Sequence, residues 1–312
     1  MPKIVLLDSA TLGLPEDIQS FKDFGEFSSY ERTRPHEIVQ RAKDAEIIIT
    51  NKCQITKEIM VKLPRLRYIG ELATGVNNIN LAYAKSTGIA ITNVPAYSTK
   101  SVAQQVFALL LELTNSTGLH SDSVHKGDWE KCPDFCYWLK PPVELSGKTF
   151  GIIGYGSIGQ EVEKIARSLG MDILASTRHP EKYRRSFVST EEIFKKSDVV
   201  SIHTPLTEET KGMVDKKLLS AMKPTAYLIN TSRGPVINEK DLADALNRNT
   251  IAGAGLDVLS TEPPKDNPLL SAKNCIITPH ISWASTEARK RLLHEVKENL
   301  RAFLEGKIRN VL

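Results

Sequence analysis

The sequence predicts an α/β protein made of two units, each with a parallel β-sheet covered by helices. Short apolar runs of strand length alternate along the chain with segments whose apolar residues recur at helical spacing, which is typical of parallel strands joined by crossover helices. The chain has 312 residues, enough to form two apolar cores. A glycine-rich turn at 154–159 lies at the start of a second such series, so two units are expected rather than one.

The first series places strands and helices in the first third of the chain. Strands are expected at residues 4–7, 47–49, 68–69 and 89–92, and helices near 35–45, 56–63 and 80–86. Pro35 suits a first helical turn, and Gly88 suits a helix end.

The second series gives the other unit. Strands are expected at residues 149–153, 172–175, 199–202, 226–229, 252–256 and 275–277. A long helix at 101–113 has apolar residues on one face, and a C-terminal helix at 286–305 ends near Gly306. The aromatic, proline-rich stretch 129–142 is hard to bury in either unit; an arm that packs on a second subunit and a surface loop are both open.

Composition excludes several classes of partner. The net charge is +4, and the basic residues are interspersed with acidic ones, so neither nucleic acid nor an anionic membrane is expected. The apolar stretch at the N-terminus is too short for a signal peptide, and no run reaches the roughly 18 apolar residues of a membrane helix, which predicts a cytoplasmic protein. The four cysteines are scattered, so no metal site is predicted.

The glycine turn predicts a dinucleotide site. In GIIGYGSIGQEV, Gly154 permits a tight turn, Gly156 allows the backbone to approach a pyrophosphate, and Gly159 allows close helix packing. Ser157 and Ile158 lie in the first helical turn, whose free N–H groups favour anions.

The end of the next strand bears on the cofactor. An NAD site usually has an acidic residue there, whereas this strand is followed by Thr177 and Arg178, which suit a 2′-phosphate. NADP(H) is therefore favoured over NAD(H); the alternative is that Arg178 is an ordinary solvated residue.

Three polar residues, Arg233, Glu262 and His280, each follow a strand or turn downstream, and each alone has an ordinary structural explanation. Together with the segments ATGVNNINL at 73–81, TNVPAYSTKSVAQ at 92–104 and TPHISWAS at 278–285, they resemble the D-isomer-specific 2-hydroxyacid dehydrogenase family. The resemblance covers nearly the whole chain and is greatest to its glycerate dehydrogenase (hydroxypyruvate reductase) branch.

The resemblance implies a catalytic set. Arg233 would hold the substrate carboxylate and C2 oxygen, because a guanidinium suits a planar two-point anion contact. His280 would exchange a proton with that oxygen, and Glu262 would fix the tautomer of His280. Asp257 matches a position near the nicotinamide, with a loop cap as the alternative.

The resemblance also implies binding residues. Those for substrate would be Asn51, Lys52, Thr74, Gly75, Val76 and Trp283, with a packed core role equally open for Trp283. Those for the cofactor would include Thr204, Pro205, Thr231 and Ser232.

The resemblance finally implies two Rossmann-like, doubly wound parallel-sheet domains. A discontinuous, flavodoxin-like substrate or lid domain would comprise 1–98 and 286–312, and 99–285 would bind NAD(P), with a dimerisation arm near 115–145 and substrate in the cleft between the domains. The expected reaction is reduction of hydroxypyruvate or glyoxylate by a homodimer whose partners are small molecules. The alternatives are a D-lactate or 3-phosphoglycerate dehydrogenase, or a dinucleotide-sensing corepressor.

Overall fold

The computed structural model describes residues 1–312, and the chain folds into two compact units. Unit 1 comprises Met1–Ser98 and Ala284–Leu312, and unit 2 comprises Thr99–Trp283. The return to unit 1 occurs at Ala284, where the sequence placed it at 286.

The α-helices and strands alternate along most of the chain. The strands are β1 (Lys3–Leu6), β2 (Glu26–Ser29), β3 (Ile47–Thr50), β4 (Tyr68–Glu71), β5 (Ala90–Thr92), β6 (Thr149–Ile153), β7 (Asp172–Ser176), β8 (Val199–Ile202), β9 (Tyr227–Asn230), β10 (Gly253–Leu256) and β11 (Cys275–Ile277). The α-helices are α1 (Pro15–Gln19), α2 (Ile38–Ala42), α3 (Lys57–Val61), α4 (Leu81–Thr87), α5 (Thr99–Asn115), α6 (Thr117–His125), α7 (Ser157–Ser168), α8 (Thr190–Lys196), α9 (Lys216–Ala221), α10 (Glu239–Asn247) and α11 (Thr286–Leu304).

Unit 1 is built on a five-stranded parallel sheet in the order β2-β1-β3-β4-β5. The central strand β3 is buried at every residue, which explains its uninterrupted apolar sequence. Strand β2 was not predicted, because it lies at the sheet edge and Phe27 is its one large apolar residue. The strand order reverses between β1 and β3, and in such sheets ligands bind at the carboxyl ends of the strands beside that point.

Unit 2 contains a six-stranded parallel sheet in the order β11-β10-β9-β8-β6-β7. Here the order reverses between β6 and β8, so the glycine turn after β6 lies beside the loop after β8. Helix α5 packs on α7, β9 and β10 through its buried face, which includes Val106 and Leu110. Both sheets are parallel and doubly wound, which confirms the predicted fold class.

The segment between α5 and β6 contains a helix that the sequence analysis missed, α6, followed by irregular chain. Several large apolar side chains there face solvent, among them Phe135, which is 89% exposed, and Trp138, which is 63% exposed. None of the helices in the structure has both the length and the apolar character that a membrane crossing requires.

Candidate active site

The turn after β6 leaves room for a phosphate group. Gly154 has φ +93°, and a Cβ there would lie 2.6 Å from the carbonyl oxygen of His203, so both conformation and space exclude a side chain. Gly156 is the N-cap of the 12-residue helix α7, with no side-chain cap, and a Cβ there would meet nothing within 4 Å. The first turn of this helix is formed by Ser157, Ile158 and Gly159. Uncapped amides facing open space fit the pyrophosphate of a dinucleotide.

The end of β7 lies next to this turn, because the Gly154 amide donates to the Ser176 carbonyl at 3.0 Å. Thr177 and Arg178 follow, and no acidic residue occupies the strand end. Arg178 Nη1 donates to Glu209 Oε2 at 3.1 Å, and both side chains are exposed. Arg178 therefore follows the strand end at which NAD sites usually have an acidic residue.

The ends of β8 and β9 continue the same edge of the sheet. Thr204 lies beside Gly154, with its backbone nitrogen 3.1 Å from the Cβ position of that glycine, and Pro205 is exposed. Thr231 has a buried hydroxyl oxygen with no hydrogen-bond partner, whereas Ser232 Oγ donates to Asn230 Oδ1 at 2.8 Å. The four predicted cofactor residues 204, 205, 231 and 232 therefore follow two adjacent strands.

Arg233 is positioned by the last residue of β9. The buried Asn230 donates from Nδ2 to the Arg233 carbonyl at 3.0 Å and accepts from the Ser232 amide at 3.0 Å, which fixes the turn. The guanidinium is half-buried, donates to the Ser232 carbonyl at 2.8 Å and forms no ion pair. Its remaining donors are available for an anionic ligand.

Gly234 joins this turn to the loop after β10. A Cβ at Gly234 would lie 1.9 Å from the carbonyl carbon of Leu259, so only glycine permits this approach of two backbones. Leu259 in turn donates its amide to Glu262 Oε1 at 3.1 Å. The backbone that carries Arg233 therefore packs against the loop that carries Glu262.

Glu262 and His280, both predicted as catalytic residues, form a hydrogen-bonded carboxylate–imidazole pair. His280 Nδ1 lies 2.7 Å from Glu262 Oε2, and their side chains are 27% and 38% exposed. His280 has φ +55°, a left-handed conformation stabilised by its amide, which donates to the Asp257 carbonyl at 2.9 Å. With Nδ1 engaged by the carboxylate, Nε2 is the ring nitrogen that can exchange a proton with a ligand.

Residues 107–282 match the family described as D-isomer specific 2-hydroxyacid dehydrogenase, NAD binding domain. The chain is 47% identical to the hydroxypyruvate reductase of Blautia hydrogenotrophica, with 99% of each chain covered, and 39% identical to the glycerate dehydrogenase of Methylorubrum extorquens, with 99% and 98% covered.

This chain belongs to the D-isomer-specific 2-hydroxyacid dehydrogenase family. Its fold is similar to that of the NADPH-dependent glyoxylate/hydroxypyruvate reductase from Sinorhizobium meliloti in complex with NADP and malonate, with a TM-score of 0.88 and 27% identity. That match covers 100% of this chain and 96% of the other. The match to the NAD binding domain assigns a nicotinamide dinucleotide as the cofactor of this dehydrogenase.

Asp257 of the dehydrogenase, at the end of β10, is 1% exposed. Its carboxylate accepts from the backbone amides of Ile281 and Ser282 at 2.9 and 2.8 Å, and from the hydroxyls of Thr278 and Ser282. These bonds hold the loop on both sides of His280. Full use of the carboxylate inside the loop favours the anchoring role for Asp257, the alternative left open by the sequence, over direct cofactor contact.

In unit 1 the predicted substrate residues Asn51 and Lys52 follow β3 and are held by Asp8. The carboxylate of Asp8 accepts from the amides of Asn51, Lys52 and Cys53 at 2.9, 2.6 and 3.1 Å. Burial raises the pKa of Asp8, although these hydrogen bonds oppose the shift. The Asn51 side chain is buried and the Lys52 side chain is exposed, so Lys52 is the residue of this turn that can reach a ligand.

The other predicted substrate loop, 73–76, follows β4. Thr74 Oγ1 donates to the Val94 carbonyl at 2.7 Å, and both Gly75 and Val76 are half-buried. Beneath this loop Glu71 is fully buried; its Oε2 accepts from Asn78 Nδ2 at 3.0 Å, and its Oε1 has no partner. Burial raises the pKa of Glu71 to about 9, so the side chain is a neutral acid near pH 7.

Trp283, the last residue of unit 2, is half-buried. Asp8 and Asn230 hold candidate site residues in place, and Glu71 is buried next to the 73–76 loop and accepts from Asn78; all three were missed by the sequence analysis. A signal existed, because each is a polar residue within or just after an apolar strand. Glu209, the partner of Arg178, has no comparable signal, because it lies in an ordinary polar loop.

Proposed function

We propose that this dehydrogenase reduces hydroxypyruvate and glyoxylate to D-glycerate and glycolate with NADPH. The observation that carries the proposal is the His280–Glu262 pair, with Nδ1 and Oε2 2.7 Å apart. The loop that carries Glu262 packs against the turn that bears Arg233, whose guanidinium forms no ion pair. A proton donor beside an anion-binding group is what reduction of a 2-oxoacid requires. The names of the two similar sequences described above support hydroxypyruvate and D-glycerate, and the name of the similar Sinorhizobium meliloti structure supports glyoxylate as well.

The roles follow from the chemistry of each side chain. The Arg233 guanidinium binds the substrate carboxylate and polarises the C2 carbonyl, for which its fork geometry is suited. When bound, the nicotinamide supplies the hydride that C2 accepts. His280 donates the proton that neutralises the C2 oxygen, and it becomes a neutral imidazole. Glu262 holds the ring through Nδ1 and stabilises the imidazolium before that transfer.

The other substrate contacts are proposed from residues 52, 74–76 and 283. The Lys52 ammonium and the backbone N–H groups of Thr74, Gly75 and Val76 would bind the carboxylate. Trp283 is proposed to contact the hydroxymethyl group of hydroxypyruvate.

The preference for NADP(H) over NAD(H) is supported by Arg178, which lies beside the glycine turn at the strand end where NAD enzymes place an acid. A homodimer is proposed from the exposed aromatic side chains of 129–142, since Trp129, Phe135 and Trp138 are each more than half exposed.

The test is a steady-state panel of hydroxypyruvate, glyoxylate, pyruvate and 2-oxobutyrate, each with NADH and with NADPH. We expect the first two substrates and NADPH to give the highest kcat/KM. His280→Ala should lower kcat by about 10²–10⁴-fold, while the matched control His36→Ala, at an exposed position of unit 1, should not. No hydride transfer with any pair would favour the corepressor alternative, and a preference for pyruvate would favour a D-lactate dehydrogenase.

A further inference from the structure

The ion pair between Arg178 and Glu209 crosses the end of a strand. Arg178 follows β7 and Glu209 lies in the loop after β8, and these two strands flank β6 on either side. The pair therefore links the chain on both sides of the glycine turn that follows β6. It joins residues 31 positions apart in sequence, so it is a feature of the fold and not of local chain geometry.

This position is where the adenosine ribose of a dinucleotide would lie when its pyrophosphate occupies the turn at Gly156. A 2′-phosphate would carry about two negative charges to the Arg178 guanidinium. The Glu209 carboxylate already pairs with that guanidinium at 3.1 Å, so a 2′-phosphate would have to compete with it for the same donor group. An adenosine with a free 2′-hydroxyl brings no such charge and leaves the ion pair intact.

The other charged residues near this ion pair form no ion pair with Arg178. His179 is 3.3 Å from Glu181 on its own segment, and Arg185 pairs with Glu163 on α7. Glu208, adjacent to Glu209 and also exposed, forms no ion pair. Glu209 therefore forms its ion pair with Arg178, the first cation after the end of β7.

We propose that Glu209 determines how tightly this dehydrogenase binds 2′-phosphorylated dinucleotides, by competing with the 2′-phosphate for Arg178. The proposal rests on the NADP(H) preference given above and adds a residue that limits it. Both side chains are exposed, 55% for Arg178 and 77% for Glu209, so the carboxylate can move away when a phosphate arrives. The competition lowers affinity without blocking the site.

The expected size follows from the weakness of exposed ion pairs. Such a pair is worth up to about 1 kcal/mol, so its removal should tighten binding of a 2′-phosphate by about two- to fivefold. The effect should shrink as salt is added, because ions screen exposed charges.

The experiment is isothermal titration calorimetry of 2′,5′-ADP and of 5′-ADP, the same nucleotide without the 2′-phosphate, into the full-length protein at low salt. The variants are Glu209→Gln, the control Glu208→Gln, Arg178→Gln and the double variant Arg178→Gln/Glu209→Gln. We expect Glu209→Gln to tighten 2′,5′-ADP, to leave 5′-ADP unchanged and to have no effect when Arg178 is also replaced. Glu208→Gln should produce less than half of the tightening.

Equal tightening in Glu208→Gln and Glu209→Gln would overturn the proposal, because it would show a general effect of net charge. Weaker binding of 2′,5′-ADP by Glu209→Gln would also overturn it, since Glu209 would then be orienting Arg178 for the phosphate. Failure of the NADP(H) preference is distinguishable: the unmodified protein would bind both nucleotides equally. If Glu209→Gln then preferred 2′,5′-ADP, the competing role of Glu209 would be supported although the unmodified protein does not prefer NADP(H). If Glu209→Gln also bound both nucleotides equally, the NADP(H) preference and the role of Glu209 would both be refuted.

Discussion

Replacing Glu71 by glutamine should make the protein more stable at alkaline pH than the unmodified chain. Glu71 is fully buried, accepts one hydrogen bond from Asn78 and leaves Oε1 without a partner. Burial is the main cause that raises its pKa to about 9; the charge of Asp8 adds to the shift, and Lys52 opposes it. Glutamine resembles the neutral acid in shape and keeps the acceptor for Asn78, but it does not titrate.

The sign follows from proton binding in the two states. Between pH 4.5, the ordinary value for this side chain, and about 9, the folded protein keeps the Glu71 proton and the unfolded chain loses it. The folded state binds more protons, so the free energy of unfolding falls as pH rises, by about 1.4 kcal/mol per pH unit. Between pH 5.5 and 8 the loss is about 3 kcal/mol, a large part of the total stability of a typical domain. Glu71→Gln should remove this loss.

The assay is urea unfolding followed by circular dichroism at pH 5.5, 7 and 8, for the unmodified protein, Glu71→Gln and the control Glu16→Gln, an exposed residue of α1. The difference in unfolding free energy between Glu71→Gln and the unmodified chain should grow with pH, and that for Glu16→Gln should stay constant. Asp8 titrates in all three proteins and cancels in these differences to first order. A Glu71→Gln difference that is flat between pH 5.5 and 8 would show that Glu71 is ionised in the folded protein, and the argument from burial would be wrong.

Two further predictions concern the loops that carry candidate site residues. Asp8→Asn places an NH₂ group against backbone amides that donate to the carboxylate, so we expect the KM for the 2-oxoacid to rise about tenfold or more, equivalent to about 1.4 kcal/mol. The dissociation constant of the dinucleotide should stay unchanged. The control is Asp44→Asn, at an exposed position of unit 1, and parallel changes in both constants would contradict a role specific to substrate. Gly234→Ala forces a methyl group to within 1.9 Å of the Leu259 carbonyl carbon, so we expect kcat/KM to fall by about 100-fold. The control Gly118→Ala, on α6 beside the flexible Glu112 side chain of α5, should keep full activity. Activity in Gly234→Ala equal to that of the control would refute the coupling of the two loops.

The sequence predicted strands best where burial on both faces leaves a continuous apolar run. The bounds of β6, β8 and β11 agree with the predicted 149–153, 199–202 and 275–277. Strand β2 was missed because an edge strand needs no such run, and the predicted helix at 35–45 is in fact a 3₁₀ turn, Pro35–Glu37, followed by the short α2. Local periodicity does not distinguish these turns from a continuous helix, since both place apolar residues on one face.

The sequence predicted those parts of the candidate site in which the local pattern requires a particular residue type. The glycines at 154, 156 and 159, where a strand leads into a helix, are an example. The groups that hold the site in place were not predicted, because their role depends on burial and on contacts distant in sequence. Asp8 accepts from residues 42 to 45 positions away, and Asp257 from residues 21 to 25 positions away. Nothing in the local sequence of either aspartate specifies such partners.

Asp8 in unit 1 and Asp257 in unit 2 fix a loop in the same way. Each follows a buried strand, lies at the carboxyl edge of its sheet and accepts backbone amides from the loop after another strand, 51–53 in unit 1 and 281–282 in unit 2. A carboxylate has about four acceptor sites, so one side chain can fix several amides of a loop that has no regular structure of its own. Because the carboxylate is attached to a rigid sheet, the loop takes its position from the sheet, and residues such as His280 can be held with the accuracy that proton transfer requires.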